Sequence, residues 1–326
     1  MVDAVIEVRN LVKRYGSFTA VDNISFEVMK GEVFSLLGPN GAGKTTTVEI
    51  IECLRSLTSG EVRILGMDVN KEALKIKGRI GVLPQEFNAF DFLTVKENID
   101  YFGGMFRKSL PADELIKAVD LGEKRDVWFK KLSGGLKQRV GVAISMVNDP
   151  EIIFLDEPTT GLDPKARRDV WAVIQDLKAK GKTVILTTHY MEEAEVLSDR
   201  VGIIDRGKFL ALGSPHDIIE QYGTGTRCII SNCDDACALS LKQQWPGIER
   251  KEGNIIIKLE NKGSLPEIIY TLDRSGGNYE QIQVTRPTLE DVFLRLTGKK
   301  LHEEEVPKPE EKRKFFGGKK KEKGVA

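Results

Sequence analysis

Short, nearly unbroken apolar runs at residues 33–37, 152–155 and 184–186 predict strands buried on both faces, as in a parallel sheet. Further strands are predicted at 5–8, 24–28, 80–83, 183–187 and 201–204. Residues 44–52, 135–147, 165–180 and 191–197 read as helices, with Pro164 opening one of them and Gly181 closing it. This alternation predicts an α/β fold with its ligand at the C-terminal ends of the strands. Residues 87–149 carry helical patterning and no convincing strand, so a helical subdomain is expected there, inserted into the core. Residues 205–214 read as a strand pair closing the core, and 221–226 as a linker. A second unit over 227–298 reads as a small α+β domain. Its strands fall at 227–231, 255–259 and 281–284, and its helices at 235–244, 265–275 and 288–297. No residue set in it suggests chemistry. From 299 to 326 the chain is charged and nearly devoid of core residues, which predicts a disordered tail.

Composition narrows the function. The chain has 326 residues and a formal net charge of +0, so bulk electrostatics give no push toward nucleic acid. Hydrophobic content of 40% and charged content of 30% are those of a globular protein. No apolar run approaches the ~18 residues that span a bilayer. The N-terminus lacks the order of a signal peptide, so a cytosolic location is expected. Cys53, Cys228, Cys233 and Cys237 have neither disulfide-framework nor zinc spacing and read as buried or idle thiols. The basic cluster 312–323, with Phe315 and Phe316, reads as a solvated tail or as a contact to an anionic membrane surface.

The candidate chemistry lies between these elements. Gly38-Pro39-Asn40-Gly41-Ala42-Gly43-Lys44-Thr45 fits the phosphate-loop pattern G-x-x-x-x-G-K-[ST] at every fixed position, between a predicted strand and a predicted helix. Glycines let backbone N–H groups wrap an anion, and the helix N-terminus adds partial positive charge. Lys44 would reach the β- and γ-phosphates of ATP. Thr45 would offer its hydroxyl to Mg²⁺, and Thr46 would support a phosphate oxygen. Residues 152–157 (IIFLDE) end a buried strand in two carboxylates. Asp156 would hold Mg²⁺, directly or through water, and Glu157 would orient or deprotonate the attacking water. In 132–140 (LSGGLKQRV), Ser133 suits an N-cap, and Gly134 and Gly135 would expose N–H groups to an anion.

Together these motifs make residues 3–222 resemble the ATP-binding cassette (ABC) ATPases. The resemblance implies a RecA-like core with a helical subdomain and a head-to-tail homodimer in which Ser133 faces the γ-phosphate bound by the other copy. Residue by residue, it implies that Tyr15 stacks on adenine, and that Gln85 touches Mg²⁺ or the lytic water and links to the membrane partner. It further implies that Asp163 crosses the dimer interface and that His189 contacts the γ-phosphate. Leu136 stands where many members have Gln, and Thr159-Thr160-Gly161-Leu162-Asp163 replaces the SALD form seen in many. Residues 286–293 (RPTLEDVF) are similar to the C-terminal motif of daunorubicin-resistance-type cassettes. The expected function is the ATPase subunit of an ABC-2-type exporter at the inner face of the cell membrane, working with a separate permease. A soluble cassette protein acting on nucleic acid fits less well, because the chain holds one cassette and no basic stripe in its folded part. A non-catalytic ATP sensor fits less well too, because the whole catalytic set is present.

Overall fold

The computed structural model of the chain describes residues 3–223, 225–251, 253–259 and 264–298. Its centre is a six-stranded sheet built from β3 (Val33–Leu37), β6 (Ile80–Leu83), β7 (Ile152–Asp156), β8 (Thr183–Thr188), β9 (Arg200–Asp205) and β10 (Lys208–Gly213), in the order β10-β9-β3-β8-β7-β6. All neighbours run parallel except β9 and β10. Every residue of β3, β7 and β8 is buried, as their unbroken apolar runs require. Alternate residues face opposite layers. Val33, Ile153, Leu155, Val184 and Leu186 join one core, and Phe34, Leu36, Ile152, Phe154 and Ile185 join the other.

The first core is completed by α3 (Val95–Gly103), α4 (Ala112–Ala118), α5 (Gly134–Ser145) and α6 (Pro164–Ala179), through Ile99, Ile116, Val140 and Trp171, and by Phe129 from the segment between α4 and α5. The helical subdomain therefore shares a continuous core with the sheet. A Thr94/Glu97 capping box starts α3. The buried Asn98 amide donates to the carbonyls of Phe90, Leu93 and Thr94 and so fixes the preceding loop. The second core lies under a separate antiparallel sheet, β2-β1-β4-β5, made of β1 (Ala4–Tyr15), β2 (Phe18–Met29), β4 (Ser59–Ile64) and β5 (Met67–Asp68). The helices α1 (Lys44–Ile51) and α2 (Ala73–Lys77) contribute Val48, Ile50, Ile51 and Ile76 to it, and Phe26 stacks on Phe34 at 5.1 Å.

Several expectations need correction. The strands expected at residues 5–8 and 24–28 are each twelve residues long, and both lie in the antiparallel sheet. Their polar outer face hid their length. β4 and β5 were not expected at all: β4 is half exposed and β5 is two residues long. Residues 205–214 hold one strand, β10, whose partner β9 precedes a turn at Arg206–Gly207. The expected linker 221–226 starts inside a further helix, α8 (Pro215–Tyr222).

Beyond α8, the strands β11 (Arg227–Ser231), β12 (Glu249–Lys251), β13 (Asn254–Lys258) and β14 (Gln281–Thr285) form an antiparallel sheet in the order β12-β13-β11-β14. It is covered by α9 (Asp235–Gln244) and α10 (Ser264–Ser275). Cys228, Cys233 and Cys237 lie buried in this core. The last helix, α11 (Leu289–Thr297), does not join it. Leu289, Val292 and Phe293 instead pack with Leu37, Val201 and Ile203 of the main sheet, with Met191 and Ala194 of α7 (Met191–Leu197), and with Ile218 of α8. The Leu289 amide donates to Glu195 Oε1 at 2.5 Å. The expected tail, 299–326, lies outside the described residues, and with it the membrane-contact reading of 312–323. Among the described residues no helix is long and apolar enough to cross a membrane.

Because Phe293 is 2% exposed against cassette residues, Phe293→Ala should destabilise the cassette by about 3–5 kcal/mol. Urea unfolding followed by tryptophan fluorescence in a Trp245→Phe background, which leaves Trp128 and Trp171 of the cassette as the emitters, checks it.

Candidate nucleotide site

The topology assembles the site. β3, β8, β7 and β6 are neighbours, so the loops leaving their C-terminal ends converge: the glycine loop after β3, His189 after β8, Glu157 after β7 and Gln85 after β6. The glycine loop turns into α1 through Gly43 at φ 106°, where an added Cβ would sit 2.5 Å from the Ala20 carbonyl oxygen, so only glycine fits. No side chain caps α1 and no acidic residue lies in its first turn, which leaves its N-terminus open to an anion.

Lys44 is 4% exposed. Its ammonium donates to the carbonyls of Gly38 at 2.8 Å and Pro39 at 3.3 Å, and lies 3.3 Å from Glu157 Oε1. Burial lowers its pKa, and the Glu157 charge works against that. Glu157 Oε2 also receives Gln85 Nε2 at 3.3 Å and the Thr160 hydroxyl at 3.1 Å, and meets His189 Nδ1 at 3.1 Å. Burial pulls the Glu157 carboxyl up, but the His189 hydrogen bond and the Lys44 charge outweigh it and hold the pKa at about 2. Glu157 adopts left-handed backbone, φ 48°, a strained conformation fixed by two bonds from its N–H to Thr187. Asp156 accepts from the Thr187 hydroxyl at one oxygen and from the Thr45 hydroxyl, 3.4 Å away, at the other. Its pKa is raised, chiefly by burial.

One cavity of about 370 Å³ is lined by Tyr15, Pro39, Asn40, Gly41, Gly43, Lys44, Thr45, Thr46, Gln85 and Glu157. Phe18 lines it as well, a second exposed aromatic that sequence reading passed over. Gly38 and Ala42 sit behind it: Gly38 lies against the Ile204 carbonyl and Ala42 is buried. Ser133, Gly134, Gly135 and Asp163 do not line this cavity. Ser133 and Gly134 are exposed, with the Ser133 hydroxyl capping α5, and Gly135 presses on Ala166. Asp163 Oδ1 caps α6 by accepting from Lys165 and Ala166. Three further residues escaped the sequence reading. Thr187 and Thr160 are unmarked hydroxyls whose partners are set only by the fold. Glu193 is fully buried and accepts from Thr159 at 2.7 Å and Trp171 Nε1 at 2.8 Å, which ties the segment after Glu157 to α7.

A phosphate loop ahead of a buried lysine, with two carboxylates at the end of the next-but-one strand, defines a P-loop nucleoside triphosphatase. Comparison with known proteins narrows the class. Residues 21–160 match the ABC transporter family model, and residues 213–297 match the C-terminal domain of DrrA1-3-like ATP-binding proteins. Nod factor export ATP-binding protein I of Ralstonia nicotianae is 38% identical over 309 residues, 92% of this chain and 95% of that one. Daunorubicin resistance ATP-binding protein DrrA2 of Streptomyces coeruleorubidus is 38% identical over 299 residues, 88% and 92% of the two chains. Linearmycin resistance ATP-binding protein LnrL of Bacillus subtilis is 34% identical over 311 residues, 92% of this chain and all of that one. A dimeric ATP-binding cassette solved in a post-hydrolysis state with ADP and Pi matches with a TM-score of 0.58 at 30% identity, covering 64% of this chain and 98% of that one. The chain belongs to the ATP-binding subunits of ABC transporters, in the branch that carries the DrrA-type C-terminal domain. It is the ATP-hydrolysing subunit of an ABC-type exporter.

Two predictions follow from the geometry. Thr187→Val removes the hydroxyl that holds both Asp156 and the Glu157 N–H, and should cost about 1–3 kcal/mol of stability. ATP turnover should fall at least tenfold in a steady-state assay. The second concerns Glu52, the residue after α1. It is 4% exposed, and burial, followed by the charges of Asp156 and Glu49, raises its pKa from 4.5 to about 8. The folded protein thus holds this proton more tightly than the unfolded chain, so the contribution of Glu52 to stability is full below pH 4.5 and is lost as pH rises to about 8. Glu52→Gln lacks that loss. Its melting temperature should gain on the wild type steadily across this window.

Proposed function

We propose that two copies of the chain close head to tail around two ATP molecules, each held by Lys44 of one copy and by Ser133, Gly134 and Gly135 of the other. The observation that carries this is the division of the machinery. The cavity holds the glycine loop, Gln85 and Glu157, while an exposed helix N-terminus with two glycines stands apart from it. In this reading Lys44 leaves the Gly38 and Pro39 carbonyls for the β- and γ-phosphates, and Tyr15 lies against the adenine. Glu157 and His189 orient the attacking water, and Asp163 meets the partner copy. Thr45 and Asp156 supply two oxygen donors close together, a fit for Mg²⁺, which takes one or two carboxylates plus substrate phosphates. The ion would neutralise charge on the β- and γ-phosphates. Gln85, whose Nε2 donates to Glu157 at 3.3 Å, would turn its oxygen to the ion or the water.

Hydrolysis reopens the dimer and drives a separate ABC-2-type permease. The chain then sits at the cytoplasmic face of the membrane. The permease docks in the groove between α1 and α3, where Glu86, Phe87 and Asn88 follow Gln85 directly and so tie docking to the nucleotide site.

Glu157→Gln, with ATP and Mg²⁺, should elute as a dimer in size-exclusion chromatography with light scattering, while hydrolysis falls at least a hundredfold. Adding Ser133→Arg should return it to monomer with ATP still bound. A double variant that stays dimeric rejects the head-to-tail arrangement.

A further inference from the structure

The groove that faces the proposed permease has a chemical feature which the ATPase cycle does not use. It encloses about 530 Å³ and is walled mainly by apolar side chains, with Leu54, Met105 and Phe106 exposed along its rim. At its floor sits the side chain of Glu52, which lines the groove although the residue is 4% exposed. Among the described residues, no hydrogen bond or ion pair reaches its carboxyl group. Helix α1 ends there, so the carboxyl also meets the negative end of the helix dipole. The charges that act on it, from Asp156 and Glu49, are both negative. Lys77 and Glu86 line the same groove but are exposed at its rim, where water screens them.

A buried carboxyl group with no partner is costly unless it is neutral or meets a cation. In the free protein a proton fills that role. An incoming ammonium or guanidinium would replace the proton and gain a charge-assisted bond in a desolvated pocket. The apolar walls set the rest of the ligand: a cation carried on an otherwise apolar surface.

We infer that Glu52 is the receptor for a single lysine or arginine on an apolar cytoplasmic helix of the permease, so that this pair selects the cognate membrane partner. The inference rests on the proposed permease docking, and deepens it by naming the chemistry that is recognised. A mismatched partner would leave the Glu52 carboxyl buried without its counter-charge, which supplies discrimination as well as attraction.

Two measurements on the full chain test it. Benzamidine, an amidinium on an apolar ring, should shift the methyl resonances of Leu54 and Met105. Neutral benzamide should bind at least tenfold more weakly, and Glu52→Gln should abolish the difference. Wild type should also rebind saturably to membrane vesicles from its own cells after these are stripped of peripheral proteins. Glu52→Lys should bind at least tenfold more weakly, with the ATPase of the free variant within twofold of wild type. If Glu52→Lys rebinds like wild type and benzamidine is not preferred over benzamide, the cation site is refuted while permease docking stands. If wild type fails to rebind at all, the docking reading fails, and the benzamidine comparison alone decides the cation site. If benzamidine reaches the groove only after residues 299–326 are removed, the occupant is the chain's own basic tail, and the permease pairing falls.

Discussion

The ion pair between Lys44 and Glu157 is the constraint on which the nucleotide site depends. Both side chains are almost fully buried, so neither charge is tolerable without the other or a substitute. Glu157 gathers four partners: Lys44, Gln85, Thr160 and His189. A triphosphate offers Lys44 more negative charge than one carboxylate does. In the proposed reading, moving the ammonium onto phosphate would free Glu157 from that cation, while Gln85, Thr160 and His189 would still hold the carboxylate in place.

The neighbouring carboxylates are pushed in opposite directions, which separates their tasks. The Asp156 pKa is raised, chiefly by burial, so the group favours a proton, a hydroxyl donor or a cation at its oxygens. Glu157 at about 2 is fully ionised and a weak base while Lys44 is against it. Losing that cation raises its proton affinity. In the proposed cycle, water activation would therefore gain strength only once Lys44 had engaged the nucleotide, which would couple substrate binding to catalytic readiness.

Much of this was legible in the chain. The buried strands announced themselves because both faces are apolar, and the glycine loop because its backbone chemistry permits few alternatives. The half-exposed strand β4, the fully exposed β12 and the two-residue β5 carry no such signal, since a strand packed on one edge tolerates polar residues throughout. Thr187, Thr160 and Glu193 were invisible for another reason. A threonine or glutamate acquires its role from partners 3 to 34 positions away, and no local pattern encodes that distance. Tyr15 was legible through the family resemblance, whereas Phe18, across the same turn, fell in no predicted element.

The division of the chain into a cassette and a C-terminal unit is cleaner in sequence than in space. Strands β11 to β14 close a core of their own around the three buried cysteines, but the chain then returns. Helix α11 inserts Leu289, Val292 and Phe293 beside Leu37, the last residue before the glycine loop, and beside Met191 and Ala194 of α7, the helix that follows His189. The segment 286–293 thus reads as a motif because it is a missing piece of the cassette's hydrophobic layer, delivered from the far side of another domain. An apolar face of this size cannot be left to water, so a chain cut after α8 would expose the flank of the helix that positions His189. The C-terminal unit is in this sense an obligate covering of the ATPase core, held to it by burial and by the Leu289 to Glu195 bond.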